Sequence, residues 1–130
     1  MPRPTLFRMT ATAQQRESLG AYGESVAARH LVDQGMVVLD RNWRCDVGEI
    51  DLVLRDGDVL VVCEVKTRRG DAFGSPHEAV TATKAARLQL LAARWMEARG
   101  VRPAEVRLDI VAVVQPGVGA ARVDHVRGIG

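Results

Sequence analysis

Cysteine occurs only twice in the 130 residues, at Cys45 and Cys63, which excludes a disulfide framework. Neither stands in a Cys-x-x-Cys spacing, so both read as reduced, buried thiols rather than zinc ligands. No apolar run approaches the roughly 18–20 uncharged residues that a membrane helix needs. Met1 to Arg16 also lacks the apolar stretch of a signal peptide, so a cytoplasmic protein is expected. A Gly-rich phosphate loop is missing too, which argues against a carboxylate-metal phosphohydrolase acting on a small substrate. Excess charge is absent: 18 Lys and Arg against 16 Asp and Glu leave a net +2, so any basic groove has to be local. Lysine is scarcest among the charged residues, Lys66 and Lys84 being two of those 18 basic positions while Arg fills the rest. Codon bias in a chain rich in Ala and Val accounts for that deficit.

What is present is an ordinary globular composition, 47% hydrophobic and 26% charged, in a length that suits one domain. Residues 1–15 mix Pro, Thr, Arg and Gln without periodicity and read as a mobile tail ahead of a single domain over residues 16–130. From Arg16 to Gln34, Leu19, Tyr22, Val26, Ala27, His30 and Leu31 recur at helical spacing, with Gly35 as the C-cap. Met36–Asp40, Gly48–Leu54 and Val59–Lys66 read as strands, the last two joined through Arg55-Asp56-Gly57-Asp58, a hairpin signal. Ser75, Pro76 and Glu78 make a capping box for a helix running to about Arg99, although its start can slip to Thr81 or Thr83. Val106–Val114 is almost wholly apolar, as a central strand buried on both faces should be, and Arg122–Arg127 suits an edge strand. A helix between a strand and a buried strand implies a right-handed crossover. The fold class is therefore α/β, a mixed central sheet flanked by helices.

Strand alternation puts Glu49, Asp51 and Val53 on one face of the second strand and Glu64 and Lys66 on the matching face of the third. With Asp56-Gly57 as the turn, Glu49 faces Glu64, and Asp51 lies diagonal to Glu64, roughly 7–8 Å away at the backbone. Like charges crowded among Val and Leu ask for a counter-ion, and oxygen-only ligands favour Mg²⁺ or Mn²⁺ over Zn²⁺. The carbonyl of Val65 is a candidate additional ligand. The alternative is a solvated face on which Lys66, Arg68 and Arg69 neutralise the acids. Glu24 falls on the border of the first helix's apolar face, from which it can lean over the same patch.

Asp51 followed thirteen positions later by Glu64-Val65-Lys66 resembles the D…E-x-K signature of the restriction-endonuclease-like superfamily. Further blocks narrow the likeness: Gly20-x-x-Gly23-Glu24-x-x-Ala27, Arg41-Asn42, Gly48-Glu49-Ile50-Asp51-Leu52, Cys63-Glu64-Val65-Lys66-Thr67-Arg68, Val80-x-x-x-Lys84 and Arg107-x-Asp109. Together they resemble the YraN-like family of endonuclease-type proteins, akin to archaeal Holliday-junction resolvases, over about residues 17 to 127. The resemblance implies a restriction-endonuclease-like core. It further implies that Asp51 and Glu64 hold a divalent metal, that Lys66 serves catalysis, and that Glu24 matches the helix-borne acid of the resolvases. Cys63 departs from the aromatic common at its position, on the side facing the core.

The expectation that follows is a Mg²⁺- or Mn²⁺-dependent nuclease acting on DNA, with branched or structured DNA as its suggested substrate. Lys66 would orient a metal-bound water or steady the phosphorane charge, while Arg68, Arg69 and Lys84 grip the phosphate backbone. A homodimer would suit a branched duplex with two scissile strands. The competing reading is a catalytically silent nucleic-acid-binding or adaptor protein on the same fold.

Overall fold

The computed structural model describes residues 4–70 and 81–129, with side chains described from residue 19 onward. Its elements in chain order are α1 (Pro4–Asp33), β1 (Val37–Cys45), β2 (Gly48–Asp56), β3 (Val59–Arg69), α2 (Ala82–Arg99), β4 (Glu105–Gln115) and β5 (Arg122–Val126). Among the described residues no helix is long and apolar enough to cross a membrane.

Helix α1 starts much earlier than its apolar periodicity suggests, so residues 4–15, expected as a tail, form its first turns. Residues 5–15 contain neither Gly nor Pro, and Pro4 stands where a missing N–H costs nothing. A helix once nucleated therefore has no local reason to stop there. At its other end Gly35 takes φ +97°, with Gly35 N–H bonded to Val32 O at 2.9 Å and Met36 N–H to Leu31 O at 3.1 Å. This is the expected glycine cap in Schellman form. Gly100 closes α2 in the same way at φ 67°. The start of α2 is set by Thr81, whose side chain accepts from Lys84 N–H at 3.1 Å. The capping box expected at Ser75, Pro76 and Glu78 lies outside the described residues.

The sheet order is β1-β2-β3-β4-β5, antiparallel throughout except for the parallel pair β3/β4 that the α2 crossover connects. Leu60–Cys63 and Leu108–Val114 are buried without a break, because these central strands are covered on both faces. On one face Ile50, Val53, Leu60, Val62, Leu108 and Ile110 pack under Leu88, Leu91, Ala92 and Trp95 of α2. On the other Leu52, Leu54, Val61, Cys63, Val111 and Val113 pack under Ala27, Ala28 and Leu31 of α1. Tyr22, expected on the apolar stripe of α1, is 44% exposed. The buried stripe consists instead of small residues, Gly23, Ala27 and Ala28, running to Leu31, which lets α1 approach the sheet closely.

Strand β1 is longer than expected and carries a bulge between Val38 and Asp40. Asp40, just beyond the bulge, accepts from Trp95 Nε1 at 3.0 Å and from the Arg99 guanidinium, tying β1 to α2.

Candidate active site at a fork in the sheet

The β2/β3 hairpin turns at Gly57-Asp58, with Asp56 opposite Val59, not at Asp56-Gly57 as expected. Gly57 adopts φ +60°, which a side chain resists and glycine does not. The register is thus shifted by two residues. Within the paired stretch an even shift leaves the faces unchanged but changes the partners, and a continued ladder would set Asp51 level with Glu64 rather than diagonal to it.

The pairing of β2 with β3 ends at Leu52 and Cys63. Beyond that point β2 continues beside β1 as far as Gly48, and β3 continues beside β4 as far as Arg69. The two strands therefore part, and Asp51, Glu64 and Lys66 lie at the crotch of the fork. Alternation breaks at the same place. Ile50 packs on the α2 side with Val53 while Leu52 and Leu54 pack on the α1 side, so the expected clean split of Glu49, Asp51 and Val53 from Ile50, Leu52 and Leu54 does not hold. Asp51 closes the gap itself: its Oδ2 accepts the Val65 N–H at 2.7 Å, the backbone donor that the ladder leaves unpaired.

Burial raises the Asp51 carboxyl most, and the neighbouring Glu49 and Glu64 charges add to it, against the Val65 N–H and Lys66, so that it is pushed up to about 6. Glu64 receives Lys66 Nζ at 3.6 Å from Oε1 and Lys84 Nζ at 3.8 Å from Oε2. Both contacts exceed hydrogen-bond length, and Glu64 Oε2 is buried without a hydrogen-bond partner. The Lys84 ammonium is lowered, first by burial and then by Lys66 beside it.

Glu24 arrives from α1 because Gly23 lets the helix settle on β3. A Cβ at Gly23 would lie 1.9 Å from Thr67 Oγ1 and 2.9 Å from Thr67 Cβ. Its carboxyl is raised by burial and by Asp51 and Glu49, against the Asn42 amide and Arg41. With its amide nitrogen turned toward these acids, Asn42 donates to Glu49 Oε1 at 3.1 Å and also to Glu24. Arg44 Nε holds Glu49 Oε2 at 2.8 Å.

The fork therefore brings together Glu24, Asp51, Glu64, Lys66 and Lys84. Arg68 lies close enough to act on Lys84, whereas Arg69 is an exposed residue at the end of β3. Among the described residues no three His, Cys, Asp or Glu side chains stand close enough to hold a metal ion as a set. The donor chemistry nonetheless fits a hard divalent cation. The acids are oxygen donors, one buried carboxylate oxygen has no hydrogen bond, and Asp51 is destabilised as an anion by burial and by the charges of Glu49 and Glu64.

Sequence reasoning missed two groups. Asn42 stood in a motif without a role, and its φ of +50°, a conformation Asn tolerates better than most residues, leaves no mark in the sequence. The second is the network of the fully buried Asp109, which accepts from Arg107 Nε at 2.9 Å, His125 Nε2 at 2.8 Å and Gly128 N–H at 3.1 Å. His125, on β5, thus meets an acid sixteen residues away on the neighbouring strand. Arg107 also reaches Asp56 at 3.1 Å, and Ile129 N–H donates to Leu108 O at 2.8 Å, so the network fastens the C-terminal segment to β4.

Comparison with known proteins agrees with the motif blocks. Residues 23–113 match the uncharacterised protein family UPF0102. The chain is 64% identical over 121 residues to a UPF0102 protein of Nocardioides sp. strain JS614, covering 93% of this chain and 98% of that one. It is 57% identical to one from Frankia alni, covering 87% and 94%, and 56% identical to one from Streptomyces coelicolor, covering 92% and 93%. The chain belongs to UPF0102, the YraN-like family of the restriction-endonuclease-like superfamily.

Proposed function

We propose that this protein is a Mg²⁺- or Mn²⁺-dependent nuclease that hydrolyses phosphodiester bonds in DNA. The supporting observation is the meeting of Asp51, Glu64 and Lys66 at the strand fork, with the Asp51 anion disfavoured by burial and by its acidic neighbours and Glu64 holding an unbonded buried oxygen. Asp51, Glu64 and the Val65 carbonyl would hold the cation, which when bound polarises the scissile phosphate and acidifies a water ligand. Lys66 sits beside Glu64 as a compact ammonium, able to orient the attacking water and to offset charge building on the phosphate oxygens. Glu24, whose carboxyl burial raises and which Asn42 steadies, would accept a proton at its Oε atoms. Arg68, Arg69 and Lys84 supply positive charge for the sugar-phosphate backbone without reading bases. A branched duplex offers two scissile strands, which a two-fold dimer would serve.

The test is cleavage of four-way, flapped and single-stranded DNA in Mg²⁺ or Mn²⁺, with EDTA and Asp51→Ala as controls. Metal-dependent cleavage by the wild type alone supports the reading. No cleavage beyond the Asp51→Ala background refutes it, and DNA binding that survives Glu64→Ala would then assign a non-cleaving adaptor role.

A further inference from the structure

The chain's two lysines, one on β3 and one on α2, converge on the same carboxylate, one to each oxygen of Glu64. Lys66 belongs to the signature at the fork and comes from the same strand as Glu64. Lys84 has no such reason to be there, and nearly everything around it is unfavourable. It occupies the third position of α2, fixed by its backbone N–H to Thr81, in a first helical turn that carries no acid. A cation there meets the positive end of the helix dipole. Lys66 and Arg68 add repulsion, burial removes water, and the Glu64 charge is what opposes them. The contact itself is loose, since Lys84 Nζ stands 3.8 Å from an Oε2 that makes no hydrogen bond.

We propose that Lys84 is a resident counter-cation: it holds Glu64 while the site is free of metal, yields that carboxylate to an incoming divalent cation, and turns to the phosphate of the bound strand. The proposal rests on the metal-site reading of Asp51 and Glu64 given above. Once a cation neutralises Glu64, the ammonium has lost its favourable partner and kept its unfavourable ones. The nearest new anion in the proposed complex is the phosphodiester. Lys84 is then a positioning residue for Glu64 before substrate arrives and a phosphate contact afterwards, rather than a peripheral grip on the backbone.

The exchange makes a prediction that a merely structural lysine does not. Removing the ammonium should strengthen metal binding while weakening catalysis. Isothermal titration of the full chain with MnCl₂ should show Lys84→Gln binding Mn²⁺ roughly threefold to tenfold more tightly than wild type, with Lys84→Arg close to wild type. In parallel, a thermal double-mutant cycle in EDTA with Lys84→Gln, Glu64→Gln and their combination should show the cost of Lys84→Gln disappearing when Glu64 is already neutral. Unchanged or weaker Mn²⁺ binding by Lys84→Gln, where the wild type binds Mn²⁺ and Asp51→Asn does not, overturns the exchange and leaves the metal site standing. So does an equal cost of Lys84→Gln in both Glu64 backgrounds. Absence of Mn²⁺ binding by the wild type overturns the metal-site reading and the exchange with it.

Discussion

Replacing Asp51 by Asn should make the metal-free protein more stable at pH 8, because the fork holds this carboxylate at a loss. The carboxyl titrates at about 6 in the folded protein against 3.8 for an ordinary Asp, mainly because it is buried and secondarily because Glu49 and Glu64 stand beside it. At about 1.4 kcal/mol per pH unit of displacement, the folded state carries an ionisation cost of up to about 3 kcal/mol above pH 6. Asn keeps the shape and an oxygen to accept the Val65 N–H, and its NH₂ meets neighbouring carboxylates that can accept from it. After discounting for the partial exposure of the site, a gain of about 1–2 kcal/mol is expected, or roughly 3–10 °C in Tm for a chain of this size. The sign with pH follows from the raised value. Between pH 4 and 6 the folded state binds the proton that the unfolded state releases, so wild-type stability falls relative to Asp51→Asn as pH rises through that window. Below pH 4 both states are protonated, and the difference closes.

Urea or thermal melts of the pair at pH 4, 6 and 8 read this directly, since titrations common to both proteins cancel in the difference. MnCl₂ at pH 8 should raise the wild-type Tm and leave Asp51→Asn where it is. An Asn variant that is less stable than wild type at pH 8, or that keeps the same advantage at pH 4, refutes the account of Asp51 as a carboxylate waiting for a cation.

Gly23→Ala should destabilise by about 1–2 kcal/mol despite a helix-propensity gain of up to about 1 kcal/mol, because the added Cβ meets Thr67 atoms at 1.9 to 2.9 Å. Thermal melts should show part of that loss recovered in Gly23→Ala/Thr67→Ala. Asp109→Ala should cost about 3–5 kcal/mol by leaving Arg107 and His125 without their buried partner. Chemical denaturation would check this, and a cost under 1 kcal/mol would rule the network out as a structural anchor. The Arg107, His125 and Gly128 contacts hold the Asp109 carboxyl below its ordinary value despite burial, so its stabilisation is present above the usual carboxylate range and lost as pH falls through the folded value. The acid limb of wild-type stability should therefore flatten in Asp109→Asn, as followed by circular dichroism.

Several features were legible in the sequence because they rest on local rules. Gly35 caps its helix, Asp-Gly marks the hairpin, and Leu108–Val114, most of the expected Val106–Val114 strand, is buried on both faces next to the crossover. The nearness of Asp51 to Glu64 rests on the strand fork and not on the alternation read from the sequence, because alternation along β2 breaks between Ile50 and Leu52. The long start of α1 was hidden, since apolar periodicity detects packing rather than helix, and residues 4–15 have helix-forming sequence without such a pattern. The network of Asp109 was hidden for another reason. Its partners come from β4, β5 and the segment after β5, and only the register between strands brings them within reach.

The fork explains why the site was only half visible. Strand logic assumes that two strands stay paired, and under that assumption Glu49 opposite Glu64 is a repulsive cross-strand pair needing a remedy. In the folded chain the pairing stops at Leu52 and Cys63, one residue short of the acids. Opening the strands there leaves backbone donors such as Val65 N–H without a ladder partner, and the Asp51 carboxylate takes that role. It also admits a lysine from α2 that no pairing rule would place beside Glu64. The residues that make the candidate site thus stand where the β2/β3 pairing ends. If so, mending the ladder by Asp51→Val should favour continued strand pairing, stabilise the chain as Asn does, and abolish Mn²⁺ binding. A valine variant that still binds Mn²⁺ at wild-type affinity would show that the cation does not use the fork.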